Sequence, residues 1–547
     1  MKNVTLLISL ALLTTSCTEQ ATKPTNSLTN NSHWSKQATK QVLNAKVAST
    51  QINNKKGAAK NIILFIGDGM GVSTVTAARI LAGQQLGKQG EEHQLSFDKF
   101  PFTGLIKTYN TNQQTADSAG TMTAIITGVK TKAGMISVSE EAIRGECLTS
   151  KNHELLTTLE LAEIAGKKTG IVTNTRVTHA TPAATYAKSP ERDWEDTSDM
   201  PQKAIDEGCL DIADQLVHFE TLLEQKVNKG KDHQNINGID VVMGGGRRHF
   251  LRKTKKDNTA DAKSKKEGDR KDGRNLIHEW QAQYPQGKYI IDQENFDKID
   301  PNNTEKLLAL FNESHMRYEA DRHNDKLGEP SLSEMTDKAI KILQNNDSGF
   351  FLMVEAGRID HAHHAGSAYN ALTEAVELSK AVQIALDNTN PEETLIIVTA
   401  DHSHVFTIAG YPTRGNPILG KVIGNDSKGN PKAEPELDAE GQPYTTLGYT
   451  NGRGFKNLGN ETNANKSYKH DITAGREDLT EINTEQSGYH QEALIPYSIE
   501  THGAEDVAIY ATGPGSHLVT GTNEQNIIFH IMNYAGNLTD TANQQLQ

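Results

Sequence analysis

What this chain lacks narrows the field first. It has no excess of basic residues: Lys and Arg total 56 against 69 Asp and Glu, a formal net charge of −13. No positive field would steer a polyanion in, which excludes nucleic acid as a specific partner. No segment is apolar enough to span a bilayer, and no internal repeat is visible. Cysteine occurs only 3 times in 547 residues. Were Cys17 acylated or removed, Cys147 and Cys209 would remain, a pair suited to an oxidising compartment. Closing a loop of about 60 residues would stabilise by about 4 kcal/mol in the chain-entropy model. Two unpaired buried thiols are the alternative.

What is present suits a large folded unit. Apolar residues make up 35% and charged residues 23% of the chain, enough for a core and against global disorder. The start reads as an export signal, 1–17, with Lys2 as its positive end, an apolar stretch at 4–13 and small residues Thr14, Thr15 and Ser16 before Cys17. That pattern resembles a bacterial lipoprotein signal, in which Cys17 would carry a lipid anchor, although Thr14 stands where leucine is usual. The expected location is therefore periplasmic or outer-membrane-anchored. Residues 18–56, rich in Asn, Thr, Ser, Gln and Lys, read as a tether or N-terminal arm.

From Lys60 the pattern is α/β. Continuous apolar runs at 61–66 (NIILFI), 349–355 (GFFLMVE) and 394–399 (TLIIVT) predict strands covered on both faces, with further strands at 169–173 and 240–243. Helical spacing predicts helices over 119–127, 153–165 and 367–387. The alternation implies a three-layer, mostly parallel, doubly wound sheet, whose ligands gather at the carboxyl ends of the strands. Residues 57–406 and 496–540 are assigned to this α/β domain and 407–495, rich in Gly, Asn, Pro and Lys, to an inserted crown-like subdomain. The stretch 252–274, dense in Lys and Asp, reads as an exposed loop.

The chemistry lies at those strand ends. Asp68, Ser118, Asp360, His364, Asp401, His402 and His502 are oxygen and imidazole donors, each near a strand end or a helix start. Asp68 sits among glycines in GDGMG; Val72 replaces the third glycine of a dinucleotide fingerprint, and a carboxylate would repel a bare pyrophosphate, so metal ligation or helix capping are the readings. Ser118 opens a helix, where free N–H groups and the helix dipole favour an alkoxide or a phosphoserine, or where it could be a plain N-cap. No histidine adjoins it in sequence, so activation would need a metal. Asp360 and His364 are four apart and face the same way on a helical turn; His361 and His363 point elsewhere. Asp401 and His402 end a buried strand. Arg192 could supply the planar two-pronged donor that a phosphate needs, or be a solvated charge.

The segments FIGDGMG, TADSAGT, THATPAATYA, VEAGRIDHAHH, VTADHSHVF and THGAEDVAIY together resemble the alkaline phosphatase family, from about Lys60 to Gly536. The resemblance implies hydrolysis of phosphate monoesters through a phosphoserine, with release of inorganic phosphate. It implies two zincs and one magnesium per subunit. One zinc would be held by Asp360, His364 and His502, the other by Asp68, Asp401 and His402 with Ser118 facing it. Magnesium would sit with Asp68, Thr181 and Glu355. Arg192 looks like the phosphate-gripping arginine, and His404 is similar to the histidine that supports the metal ligands. His179, placed like a second supporting residue, and the positions of Cys147 and Cys209, which imply a disulfide, lean towards the animal-type branch. Glu329 fits one position of the calcium site of that branch, but Asn312 stands where a glutamate is expected, beside Glu313, and no calcium is assigned. Family members are commonly homodimers. A net charge of −13 is awkward for an enzyme of anionic substrates, so cations and Arg192 must reverse the local field. The rival readings are a phosphodiesterase, a sulfatase, whose C/S-x-P-x-R context Ser118-Ala119-Gly120 does not supply, and a non-catalytic binding protein.

Overall fold

In the computed structural model the apolar runs become the middle of a ten-stranded sheet. Residues 56–227, 236–466 and 471–547 are described. The expected signal at 1–17 with Cys17, and the arm at 18–56 apart from Lys56, lie outside them. The strands are β1 (Asn61–Gly67), β2 (Phe102–Lys107), β3 (Lys168–Arg176), β4 (Val241–Gly245), β5 (Lys288–Ile290), β6 (Leu307–Leu310), β7 (Phe350–Ala356), β8 (Thr394–Ala400), β9 (Val507–Thr512) and β10 (Thr522–Glu524). Their order is β10-β2-β9-β8-β1-β7-β3-β4-β6-β5. β9 pairs antiparallel with both β2 and β8, and the other pairings are parallel. This is the doubly wound α/β architecture expected from the sequence.

Every residue of β1, β7 and β8 is buried. Helices Leu332–Leu343 and Ala368–Asn388 touch each other and β1, β3 and β7; helices Thr158–Ile164 and Ile527–Gly536 touch each other and the same strands. A strand covered from both sides has no wet face, which is why these strands read as unbroken apolar runs. The register then sets the site. Gly67 pairs with both Ala356 and Ala400, and Glu355 pairs with Ile66 and Thr173. The carboxyl ends of β1, β7 and β8 are thus level, and Asp68, Glu355 and Asp401 emerge at one edge.

Two expectations are corrected. The helix predicted over 153–165 is observed as Thr158–Ile164. Thr157 caps it, accepting from Glu160 N at 3.1 Å while Glu160 accepts from Thr157 N at 2.8 Å. Before that cap the chain is extended, with a bridge between Val138 and Glu154. The stretch 252–274 is not simply an exposed loop: Asp261, Glu267 and Arg270 are buried. Opposite charges make that possible, since Arg247 bonds Glu267 at 2.6 Å and Asp261 at 2.7 Å, and Arg270 bonds Asp211 at 2.9 Å.

Between β8 and β9 the chain builds a separate three-stranded sheet from Phe406–Ile408, Leu447–Gly452 and Ala493–Pro496. Tyr449 of that sheet meets His363 Nδ1 at 2.8 Å, tying it to the helix Arg358–His364. Among the described residues no helix is long and apolar enough to cross a membrane.

Candidate active site

The strand ends deliver the predicted residues to one place. Asp68 follows β1 in a turn made by Gly69, at φ +68, where a Cβ would lie 2.4 Å from His404. Only glycine lets the carboxylate loop approach this closely. Gly69 N donates to Asp401 Oδ1 at 3.0 Å, and Gln525 Nε2 holds the Asp401 carbonyl at 2.7 Å.

Ser118 is the first residue of helix Ser118–Thr127, and Asp117 is its N-cap, accepting from Gly120 N at 3.1 Å. The capping task therefore falls to Asp117 and leaves the Ser118 hydroxyl for other work. Its Oγ lies 3.4 Å from Asp68 Oδ1 and 3.2 Å from His402 Nε2, partners 50 and 284 residues away in sequence. Asp117 also receives Arg192 Nη1 at 3.2 Å. Burial works against the Asp117 carboxylate, but Arg192 and the N–H groups of Gly120 and Gly134 hold it below its ordinary pKa. Arg192 is thus fixed by the cap of the helix that carries Ser118, and its other nitrogen lies 3.3 Å from His179 Nε2.

His364, His402 and His502 share one arrangement. Each turns Nδ1 to a main-chain carbonyl: His364 to Glu500 at 2.6 Å, His402 to Ser403 at 3.2 Å and His502 to Ala116 at 2.7 Å. Carbonyls only accept, so Nδ1 carries the proton and Nε2 presents a lone pair. Those lone pairs converge on acceptors. His364 and His502 Nε2 stand 3.1 Å apart and 3.3 and 3.4 Å from Asp360 Oδ1. His402 Nε2 stands 3.4 Å from Asp68 Oδ1 and 3.3 Å from Asp401 Oδ2. Lone pairs facing carboxylates repel unless a cation lies between them, either a metal or a proton such as the one that, against burial, Asp360 and Glu500 favour on His364. The donor set, two carboxylate–imidazole groups, suits zinc.

A third group lies beside them. Ligand atoms of Asp68, His179 and Glu355 fall within 4.8 Å of one another. Asp68 Oδ2, Glu355 Oε1 and His179 Nδ1 are buried without a hydrogen-bond partner, and Thr181 Oγ1 is buried too. Glu355 Oε2 is occupied by the hydroxyls of Thr173 and Thr175, the latter at 2.9 Å. Buried oxygen atoms with nothing to accept from fit a hard cation such as magnesium. The electrostatics agree. Burial, then Asp401, Asp360 and Glu355, push Asp68 well above the ordinary carboxylate range, and Asp401 is raised mainly by burial. Burial lifts Glu355 to about 7 despite the threonine hydroxyls.

Asp360 behaves in the opposite way. Burial opposes its ionisation, yet His364, His404 and His502 hold it well below the usual range. His404 explains much of this. Its Nε2 lies 2.7 Å from Asp360 Oδ1 and its Nδ1 2.6 Å from Glu500 Oε2. Although burial disfavours the imidazolium, Glu500 and Asp360 raise His404 to about 10.

Apart from Cys147 and Cys209, the site residues named from the sequence thus lie in or beside one centre, with Thr181 next to Glu355. His363 and His361 point away from it as expected: His363 bonds Thr74 at 3.0 Å, and His361 packs on His315 with ring centroids 4.2 Å apart. Cys147 and Cys209 are joined in a disulfide. Asn312 Nδ2 donates to Glu329, and Lys263 Nζ donates to Asn312 Oδ1 at 2.9 Å, so an ammonium already serves that group. The sequence reading missed Asp117, Gln525, the two threonines on Glu355 and Glu500. Glu500 stands two residues before His502, and asking what balances a buried His404 could have found it.

Comparison with known proteins gives one answer. The family model described as alkaline phosphatase matches residues 59–538. The chain is 45% identical to the tissue-nonspecific isozyme of alkaline phosphatase from Homo sapiens, over 87% of this chain and 83% of that protein. It is 44% identical to an alkaline phosphatase of Gadus morhua, over 90% of this chain and 94% of that protein. Among solved structures, a histidine-to-glutamate variant of alkaline phosphatase from the Antarctic bacterium TAB5, with Mg bound in its M3 site, shares the fold at a TM-score of 0.54 and 21% identity, covering 88% of this chain and 99% of that one.

Proposed function

The chain belongs to the alkaline phosphatase family and hydrolyses phosphate monoesters, and we propose that it does so with Ser118 as nucleophile and Arg192 as phosphate clamp. The carrying observation is the shared helix cap: Asp117 fixes Arg192 at 3.2 Å while ending the helix whose first residue is Ser118. Asp360, His364 and His502 would hold one zinc, and Asp68, Asp401 and His402 a second, with Ser118 facing it. Asp68, Thr181 and Glu355 would hold magnesium, a choice supported by the magnesium bound in the M3 site of the TAB5 variant. Bound there, these cations supply positive charge for the phosphoryl oxygens and lower the pKa of hydroxyls facing them.

The side chains of this protein then act as follows. The Arg192 guanidinium donates two parallel hydrogen bonds to phosphoryl oxygens. The ionised Ser118 Oγ attacks phosphorus in line: the Oγ–P bond forms, the ester P–O bond breaks, and the alcohol leaves after taking up a proton. Water next attacks phosphorus from the side the alcohol left. Its addition breaks the Oγ–P bond, returns Ser118 and releases inorganic phosphate. The N-terminal N–H groups of helix Ser118–Thr127 favour both the alkoxide and the phosphoserine. His404 and Glu500 orient Asp360, and His179 backs Arg192.

The same reading extends outward. Export, with Cys17 as a lipid attachment point, is supported by the Cys147–Cys209 disulfide, a bond suited to an oxidising compartment. A homodimer is supported by the exposed apolar side chains Leu494, Ile495, Tyr497 and Ile499 on and after the edge strand Ala493–Pro496. Residues 407–495 would form the subdomain that shapes access to the site.

Ser118→Ala tests the nucleophile. Turnover of a chromogenic monoester should fall by about a thousandfold or more, and acid quenching with labelled phosphate should trap no phosphoserine. Full turnover in that variant would remove Ser118 from the role.

A further inference from the structure

Arg192 is held from above by Asp117, but its main chain rests on something else. Upstream, Ser189 and Ile136 exchange two hydrogen bonds of 2.9 Å, Gly145 N donates to Pro190 O at 3.0 Å, and Arg192 N donates to Gly134 O at 2.8 Å. Arg144 grips Glu191 through two bonds of 2.8 Å. Downstream, two residues after Arg192, the Trp194 indole drops into a small apolar cluster separate from the main core. Cys147, Met200 and Ala204 are its other buried members, and Cys209 and Ile205 pack against it. The disulfide is therefore a wall of the Trp194 pocket. Trp194 O and Glu195 O then accept from Ile212 N at 2.9 Å and Ala213 N at 3.1 Å, anchoring the far side of the loop.

The cross-link has a sequence separation of 62, and the loop it closes carries His179, Thr181 and Arg192. Trp194 is the large side chain of a cluster with few members. An indole buries about 150–250 Å², so this side chain is the apolar anchor of the loop at that end, beside the polar anchor of Glu195, which accepts from Arg176 Nη2 and Thr178 Oγ1, each at 2.6 Å. Misplacement by about 1 Å is enough to weaken a two-pronged contact.

We infer that Trp194, seated against the Cys147–Cys209 disulfide, is a positioning residue for Arg192 and sets how tightly the enzyme holds phosphate. This rests on the reading of Arg192 as the phosphate clamp. None of the residues that share the Trp194 cluster is a proposed metal ligand. Its loss should alter phosphate affinity and leave zinc loading alone, since none of the proposed zinc ligands lies on that loop.

The test is a double-mutant cycle on the zinc- and magnesium-loaded enzyme, with inorganic phosphate as the probe. Trp194→Leu, and separately the paired Cys147→Ala/Cys209→Ala variant, should each raise the inhibition constant for inorganic phosphate and the KM for a monoester together, about 5- to 10-fold. Zinc content, read by mass spectrometry of the metal, should stay at the parental level. Trp194→Phe should recover most of the affinity. In an Arg192→Ala background neither change should weaken phosphate further. Weakening of equal size in that background, or a loss that tracks zinc content, overturns the inference and leaves Trp194 as general scaffolding. Should Trp194→Leu not fold, the disulfide pair carries the cycle, with Trp194→Phe as the conservative control. If Arg192→Ala alone leaves phosphate affinity intact, the clamp assignment itself fails; if it weakens phosphate while the Trp194 and cysteine variants do not, only the positioning role fails.

Discussion

Glu500 accepts a hydrogen bond from His404 Nδ1 at 2.6 Å, deep in the protein, where both side chains are almost inaccessible to water. The same residue takes His364 Nδ1 on its main-chain carbonyl at 2.6 Å. Two residues later the chain supplies His502, which pairs with His404 as Gly503 pairs with Ser403. One short segment thus orders every member of the Asp360, His364 and His502 group. Burial alone would raise the Glu500 pKa, but His404 and His364 bring it down to about 2. It is therefore an anion at every working pH and keeps His404 charged against Asp360.

Replacing that anion by its neutral isostere should be felt at one metal position only. Glu500→Gln keeps an acceptor for His404 but removes the charge that holds it as an imidazolium. Affinity for the cation held by Asp360, His364 and His502, zinc on the reading proposed above, should fall about 10- to 100-fold, the usual cost of losing a supporting partner. Competition with a chromophoric chelator would show one weakened site and one unchanged. Equal weakening of both, or of neither, would contradict the asymmetry described above.

His179 makes a second expectation. Burial, then the charges of Arg192 and Arg176, lower it to about 3, so it faces Asp68 and Glu355 as a neutral ring. A neutral imidazole is a poor partner for magnesium, which prefers oxygen and charge. His179→Asp should lower the magnesium concentration needed for half-maximal activation by about tenfold or more. It should also weaken phosphate binding less than Arg192→Ala does, because Asp117 still holds the guanidinium. Titration of magnesium into metal-stripped, zinc-reconstituted enzyme would measure this, and no change in the half-point would show that His179 does not tune that site.

Much of this was legible in the sequence, for reasons that differ by element. NIILFI and TLIIVT were readable because strands buried on both faces have no alternation to disguise, and β1 and β8 follow them almost to the residue. Asp68, Asp401 and His402 were readable because each lies directly past such a strand. The start of helix Thr158–Ile164 was misplaced because Leu155 and Leu156 continue its apolar pattern, while the capping box of Thr157 and Glu160 decides the boundary. The charged stretch 252–274 looked solvated because composition cannot show pairing; only the fold brings Glu267 and Asp261 to Arg247. Glu500 was missed for the same reason, since its partner is 96 residues away. Asp117 was hidden by proximity: next to a candidate nucleophile, it is the residue that caps the helix.

The ion pairs away from the site give the protein a pH dependence of its own. His218 Nδ1 lies 2.7 Å from Asp214 and its Nε2 3.6 Å from Glu279, with Arg274 joined to both carboxylates. The hydrogen bond to Asp214 raises the pKa of His218, against burial and the repulsion of Arg274. A base whose pKa is raised on folding binds its proton more tightly in the native state. The stabilisation is therefore complete below the unfolded value of about 6.5 and disappears as pH climbs through the folded value. His218→Gln should lower the melting temperature at about pH 6 and lower it less at about pH 9, as the parent side chain gives up its proton. Thermal unfolding of the metal-loaded pair at the two pH values would measure the difference. A loss of equal size at both would mean that His218 contributes by packing alone, and that its charge does not hold Asp214 and Glu279 together.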